Sequence, residues 1–223
     1  MALTKRKKIN FSTVSKEAII DTFKSIQDDI CAGIESLDSG SHFHQDLWNR
    51  PEGGGGRTRV ITGQGIEKGG VNFSAVHGLM PEKICKALNI VPTEFLATGV
   101  SIVLHPKNPH VPIIHMNVRY FETTSGLWWF GGGIDLTPHH VDRGLAQSFH
   151  KKLKVTCDKH NEEYYPKYKK WADDYFYVRH RKETRGVGGI FFDRMDKSLG
   201  TKQEIFDFVV DVAHTFLPVY KEQ

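Results

Sequence analysis

The sequence predicts an α+β fold built on an antiparallel sheet, and three observations carry that reading. Apolar residues recur with a period of two along several runs, most clearly at 112–121, where Ile114, Met116, Val118 and Tyr120 alternate with His115, Asn117 and Arg119. Other stretches carry apolar stripes at the helical spacing of three and four. The two patterns do not alternate regularly along the chain, as they do in doubly wound parallel folds.

Composition bounds the rest. A chain of 223 residues that is 39% hydrophobic and 25% charged, with no Pro/Gly/Ser-rich linker, reads as one domain over 1–223 with a sizeable core. Three scattered cysteines, Cys31, Cys85 and Cys157, form no C-x-x-C pair, which argues against disulfides, zinc ribbons and iron–sulfur clusters and favours a reducing, cytoplasmic setting. The start, MALTKRKKIN, is basic without an apolar stretch, so neither a secretion signal nor a transmembrane segment is expected. A net charge of +4 is too mild to name a partner, and without a helix-turn-helix, RNP-like motif or basic stripe no nucleic acid is expected.

In order along the chain, Ile19, Phe23, Ile26, Ile30, Ile34 and Leu37 make one stripe of an amphipathic helix capped by Ser15. The glycines Gly53, Gly54, Gly55 and Gly56, between Arg50 and the pair Arg57 and Arg59, lack the spacing of a dinucleotide fingerprint or P-loop; a flexible loop or a close approach to a ligand remain the two readings. A strand is expected at 66–77 and a short helix at 81–88. GVSIVL at 99–104 and the alternating run after Pro112 form an antiparallel hairpin across a proline-punctuated loop. Counting in twos then gathers Ser101, His105, His115, Asn117 and Arg119 on one face, a row suited to an anion.

LWWF at 127–130 reads as a buried strand, and GGGIDLTP as a glycine turn from which the lone carboxylate Asp135 emerges, either capping the next helix or turn or serving a site. Leu145, Phe149, Leu153 and Thr156 stripe one helix, with His150 beside the stripe. Tyr164, Tyr168, Trp171, Tyr175 and Val178 stripe a second as core, with His180 near its end. Arg185 opens a turn and strand, RGVGGIFFD. Thr201 and Glu204 spell a capping box before a last helix that Pro218 should stop. Among 12 histidines, His105, His115, His150 and His180 are placed where they could converge on a metal, but no H-E-x-x-H ties them together, and no G-x-S-x-G elbow is present.

The stretches RPEGGGGRTRV, HPKNPHVPIIHMNVRYF, WWFGGGIDLTP, YPKYKKWADDYFYVRHR and RGVGGIFFD stand in collinear order between Asp46 and Tyr220. Together they resemble the oxygen-dependent coproporphyrinogen oxidase family, haem-pathway enzymes that convert two propionates of coproporphyrinogen III to vinyl groups. The resemblance implies a large, rather flat antiparallel sheet with helices on both faces, assembled as a homodimer. It implies substrate binding by Ser101, Asn117 and Arg119, proton donation by His115, and a role for Asp135 in holding or deprotonating a pyrrole N–H. It implies O₂ as electron acceptor without an organic cofactor, and a divalent metal attributed to His105, His115, His150 and His180. The family pattern runs on past Tyr220 with a Y-D-R-G-T motif, whereas this chain stops at Gln223. The second expectation is therefore a shortened scaffold that dimerises or binds porphyrin without turnover.

Overall fold

The computed structural model describes residues 14–38 and 40–223; the basic stretch MALTKRKKIN lies outside them. In chain order the elements are α1 (Lys16–Glu35), β1 (His44–Asn49), β2 (Gly54–Ile61), β3 (Ile66–Leu79), α2 (Glu82–Leu88), β4 (Glu94–Pro106), β5 (Ile113–Thr123), β6 (Trp128–Thr137), α3 (Arg143–Asp158), α4 (Tyr164–Tyr175), β7 (Tyr177–Val178), β8 (Glu183–Thr184), β9 (Gly188–Met195) and α5 (Lys202–Tyr220). The fold is α+β. Seven strands form one antiparallel sheet in the order β1-β2-β3-β4-β5-β6-β9, and β7 and β8 make a separate small hairpin.

One face of this sheet is oily and covered. Val71, Val100, Ile102, Leu104, Ile114, Met116, Val118 and Ile134 are buried there in one cluster with Ile19, Phe23, Ile26 and Ile30 of α1 and Phe208, Val209 and Val212 of α5. Burying each such side chain contributes about 1.5–3 kcal/mol, so the face fixes the register. A buried Gln27 locks α1 to the strands by donating to Arg57 O and Val71 O at 2.7 Å. Ser15 caps α1, and the Thr201–Glu204 capping box opens α5. Pro218 does not stop α5, which runs on to Tyr220: the proline forfeits the bond to the His214 carbonyl, but buried Phe216, Val219 and Tyr220 hold the last turn in the core; Leu37 lies beyond α1 and is exposed.

The other face is open over much of its width. Helical cover there comes, among the described residues, from the C-terminal end of α4, which runs past the β9 edge. Tyr168 packs against Phe192 and Phe208 on the core side, whereas Tyr175 stacks on Phe191 at 4.3 Å on the open side. The expected all-core stripe of α4 is therefore split, with Trp171 and Tyr175 partly exposed.

Apart from Gly53, which closes the turn before β2, both glycine stretches are strand rather than loop or turn. Gly54, Gly55 and Gly56 belong to β2, and Gly131, Gly132 and Gly133 lie inside β6. The local preference of glycine for turns is overridden by close tertiary approaches that only a missing Cβ allows. The arginines after the first run point to the covered side: Arg57 donates to Gln27 Oε1 at 2.6 Å, and both Arg57 and Arg59 pair with Asp28 of α1, so they are scaffold.

Candidate active site

The site is built on the open face of β4, β5, β6 and β9. Register sets Ser101 opposite Asn117, Val103 opposite His115, and Asn117 opposite Gly133, so the row expected from period-two counting exists. The next rung pairs two titratable groups: His115 stands opposite Asp135, itself opposite Gly189. Asp135 thus sits mid-strand in β6 rather than in a turn, and the cap of α3 is Asp142.

Asp135 has a side chain only 4% exposed, and Arg185 NH2 donates to its Oδ2 at 2.9 Å. A buried carboxylate is costly unless a cation and hydrogen bonds compensate it, and Arg185 provides both. The Arg185 guanidinium lies 4.2 Å from the Phe176 ring centre, and its Nε is buried without a partner. His115 Nδ1 stands 3.4 Å from the same Asp135 oxygen, within ion-pair range but not aligned as a hydrogen bond, and has no other partner. These groups line a cavity of about 480 Å³ with Asn72, Ser101, Asn117, Arg119 and Phe191, within the range of small-molecule sites. Two buried nitrogens beside the carboxylate, His115 Nδ1 and Arg185 Nε, thus lack a hydrogen-bond partner, which is unusual for buried polar atoms.

Arg119 is already engaged. NH1 donates to Asn117 Oδ1 at 2.8 Å and NH2 to Asp193 Oδ1 at 3.0 Å. Gly131 makes this possible, because a Cβ there would overlap both Asp193 Oδ1 and Arg119 Nε. With five donors on a guanidinium, Arg119 keeps capacity for an incoming anion in competition with Asp193.

The four histidines expected at a metal do not converge. Among the described residues, no group of three or more His, Cys, Asp or Glu side chains is placed to hold a metal ion. His105 shares the open face with His115, and burial, then Lys68, lower its pKa. His150 serves packing: Nε2 meets Val187 O at 2.9 Å and Nδ1 meets Tyr165 OH at 3.1 Å. Since a carbonyl only accepts, Nε2 carries the proton and Nδ1 accepts from the tyrosine, a neutral ring consistent with the pKa that burial lowers. His180 lies exposed in the turn between β7 and β8, not at a helix end. The residues present do not fit a four-histidine ion.

Arg185, Asp193 and Asn72 were not singled out as site residues by the sequence. Arg185 and Asp193 bracket the RGVGGIFFD motif, and that bracketing was the available signal.

Fold and site together set a buried carboxylate, Asp135, beside the half-buried imidazole of His115 on an open antiparallel sheet, with Arg119 and Arg185 close by. The chain belongs to the coproporphyrinogen III oxidase family, whose model matches residues 18–223. It is 43% identical over 213 residues to the chloroplastic oxygen-dependent coproporphyrinogen-III oxidase of Glycine max, covering 88% of this chain and 55% of that protein. It is 45% identical over 208 residues to the mitochondrial oxygen-dependent coproporphyrinogen-III oxidase of Homo sapiens, covering 87% and 45%. The match to the oxygen-dependent coproporphyrinogen-III oxidase of Drosophila melanogaster is 44% over 209 residues, covering 87% and 53%. The chain spans about half the length of the curated relatives it matches. No helix of the described residues is long and apolar enough to cross a membrane.

Proposed function

We propose that this chain carries out the oxidative decarboxylation of two propionate side chains of coproporphyrinogen III to vinyl groups, giving protoporphyrinogen IX with O₂ as acceptor. The observation that carries the reading is the buried Asp135 carboxylate, held by Arg185 at 2.9 Å and faced by an unpaired His115 Nδ1, at the floor of an open cavity.

The chemistry is set by the substrate. A porphyrinogen presents pyrrole N–H donors and carboxylate arms. Asp135 accepts or removes a pyrrole proton, which makes the electron-rich ring reactive towards O₂. The reduced oxygen takes the hydrogen next to the ring as CO₂ leaves, and His115 supplies a proton. For each arm, one propionate, one O₂ and one proton yield one vinyl group, CO₂ and hydrogen peroxide, so no further reductant is needed. Arg119 and Arg185 hold carboxylates by charge-assisted hydrogen bonds, and Ser101 and Asn117 complete the polar row.

The reading takes O₂ as co-substrate, with no organic cofactor and no step through a divalent metal. It extends to a homodimer, on the strength of the family resemblance, and to a reducing cytoplasmic compartment, which buried, unpaired Cys31, Cys85 and Cys157 support. Two of the relatives are named chloroplastic and mitochondrial, so cell fractionation decides the compartment and sedimentation the assembly.

The test is turnover of coproporphyrinogen III by this chain in air, under argon, and in air after exhaustive chelation. Vinyl product in both aerobic samples and none under argon supports the proposal. Porphyrin binding without product would make the chain a scaffold, and loss on chelation restored by one ion would return the histidines to a metal site.

A further inference from the structure

The glycine run of β2 has a role that decarboxylation at Asp135 does not use. Antiparallel register places Trp48, Gly56, Ser74, Gly99, Arg119 and Gly131 on one rung across six strands, all on the open face. A Cβ at Gly56 would overlap both the Trp48 indole, at Cζ2 and Cε2, and the Phe73 carbonyl oxygen, so the indole packs against a bare glycine. The result is a floor of glycine and serine between a tryptophan at one end and a guanidinium at the other. Phe121 and Trp129, stacked at 4.2 Å, form a second wall, and Phe95 backs Phe121. This basin measures about 590 Å³ and adjoins the Asp135 cavity, sharing Asn72, Ser101, Asn117 and Arg119 with it.

We infer that this basin is a second substrate compartment, which holds the pyrrole rings and one carboxylate arm of the macrocycle that are not at Asp135, with Trp48 and Trp129 as its specificity-determining walls. The inference rests on the proposed function. Its chemistry is that of a ring bearing an acid: aromatic walls contact the pyrrole face, the small floor lets it approach the sheet, and Arg119 at the shared border receives the carboxylate. Cross-strand covering of a glycine by an aromatic ring also stabilises a sheet by itself. That role explains Trp48 over Gly56, and Gly99 is required by its neighbour strand, where a Cβ would overlap Val118 O; neither explains why position 74 carries only a serine, which leaves the floor empty.

Two variants separate these roles. Trp48→Leu removes a wall, and Ser74→Tyr fills the floor while Trp48 stays in place. Binding of coproporphyrin III to the full chain is read from quenching of tryptophan fluorescence, and KM and kcat are read for coproporphyrinogen III in air. Both variants should raise Kd and KM about tenfold while kcat stays within about twofold, the signature of lost uniform binding, and Ser74→Tyr should leave Tm nearly unchanged. Parental Kd and KM in both variants, in a chain that binds and turns over, would overturn the compartment and leave the proposed function standing. A fall in kcat at unchanged KM would also overturn it. A parent chain that neither binds nor turns over refutes both.

Discussion

Arg185 and Asp135 are 50 residues apart in sequence and meet at 2.9 Å, joining the approach to β9 to the middle of β6 beside His115. This contact is what allows a carboxylate to stay buried under an open cavity. Arg185→Gln leaves Asp135 without its cation. Breaking a fully buried pair costs about 3–5 kcal/mol; with Arg185 partly exposed, about 1–3 kcal/mol is expected, a Tm loss of several degrees. Turnover should fall at least tenfold, and Arg185→Lys should recover part of the Tm. Calorimetry and steady-state kinetics on the three proteins check this.

Arg119 is held by Asp193, so substitutions of the two should act in opposite directions. Arg119→Leu removes the carboxylate donor, and Kd for coproporphyrin III should weaken by about one to two orders of magnitude. Asp193→Asn frees a donor and should leave Kd unchanged or tighter. The pair is partly exposed, so either change should cost no more than about 1 kcal/mol of stability. Tighter binding in Arg119→Leu would remove Arg119 from the site.

Asp38 accepts backbone N–H bonds from Gln64, Gly65 and Ile66 in the β2–β3 turn. Burial pushes its carboxyl up, but these donors push harder, and its pKa ends below the ordinary value. The folded pKa is thus below the unfolded one, so the contribution is complete above about pH 4 and is lost as pH falls through the folded pKa. Asp38→Ala should destabilise by about 1–3 kcal/mol at pH 7, and the difference from the parent should shrink in acid. Chemical denaturation between pH 2 and 7 reads it out; a constant difference would contradict it.

Much of this was legible in the sequence because it is local. The alternation from Ile114 to Tyr120 placed His115, Asn117 and Arg119 on one face, and Ser15, Thr201 and Glu204 marked helix starts that the structure reproduces. What was not legible depends on distant partners. Gly56 reads as part of a flexible loop or of an approach to a ligand, and Gly131 as a turn residue, yet each sits in a strand and serves a close approach, by Trp48 in one case and by the Arg119–Asp193 pair in the other. The stripe of α4 reads as core because periodicity does not reveal that a helix overruns a sheet edge. Adjacent Phe191 and Phe192 of β9 point to opposite faces, and Tyr175 and Tyr168 pack on them accordingly. The four histidines look equivalent in sequence, but only tertiary contacts distinguish His150, tied to Val187 and Tyr165, from His115, which is left free beside Asp135.

The central claim is that the charge of Asp135 acts on the reacting pyrrole, and kcat of Asp135→Asn measured with its Tm tests it most directly. The amide keeps the size and an acceptor oxygen but removes the charge. If Asp135 draws off or holds the pyrrole proton, kcat for coproporphyrinogen III in air should fall by about 100- to 10,000-fold, with Tm lowered by only a few degrees as Arg185 turns to solvent. A variant that keeps near-parental kcat, with the same product, would contradict the account and return Asp135 to the scaffold.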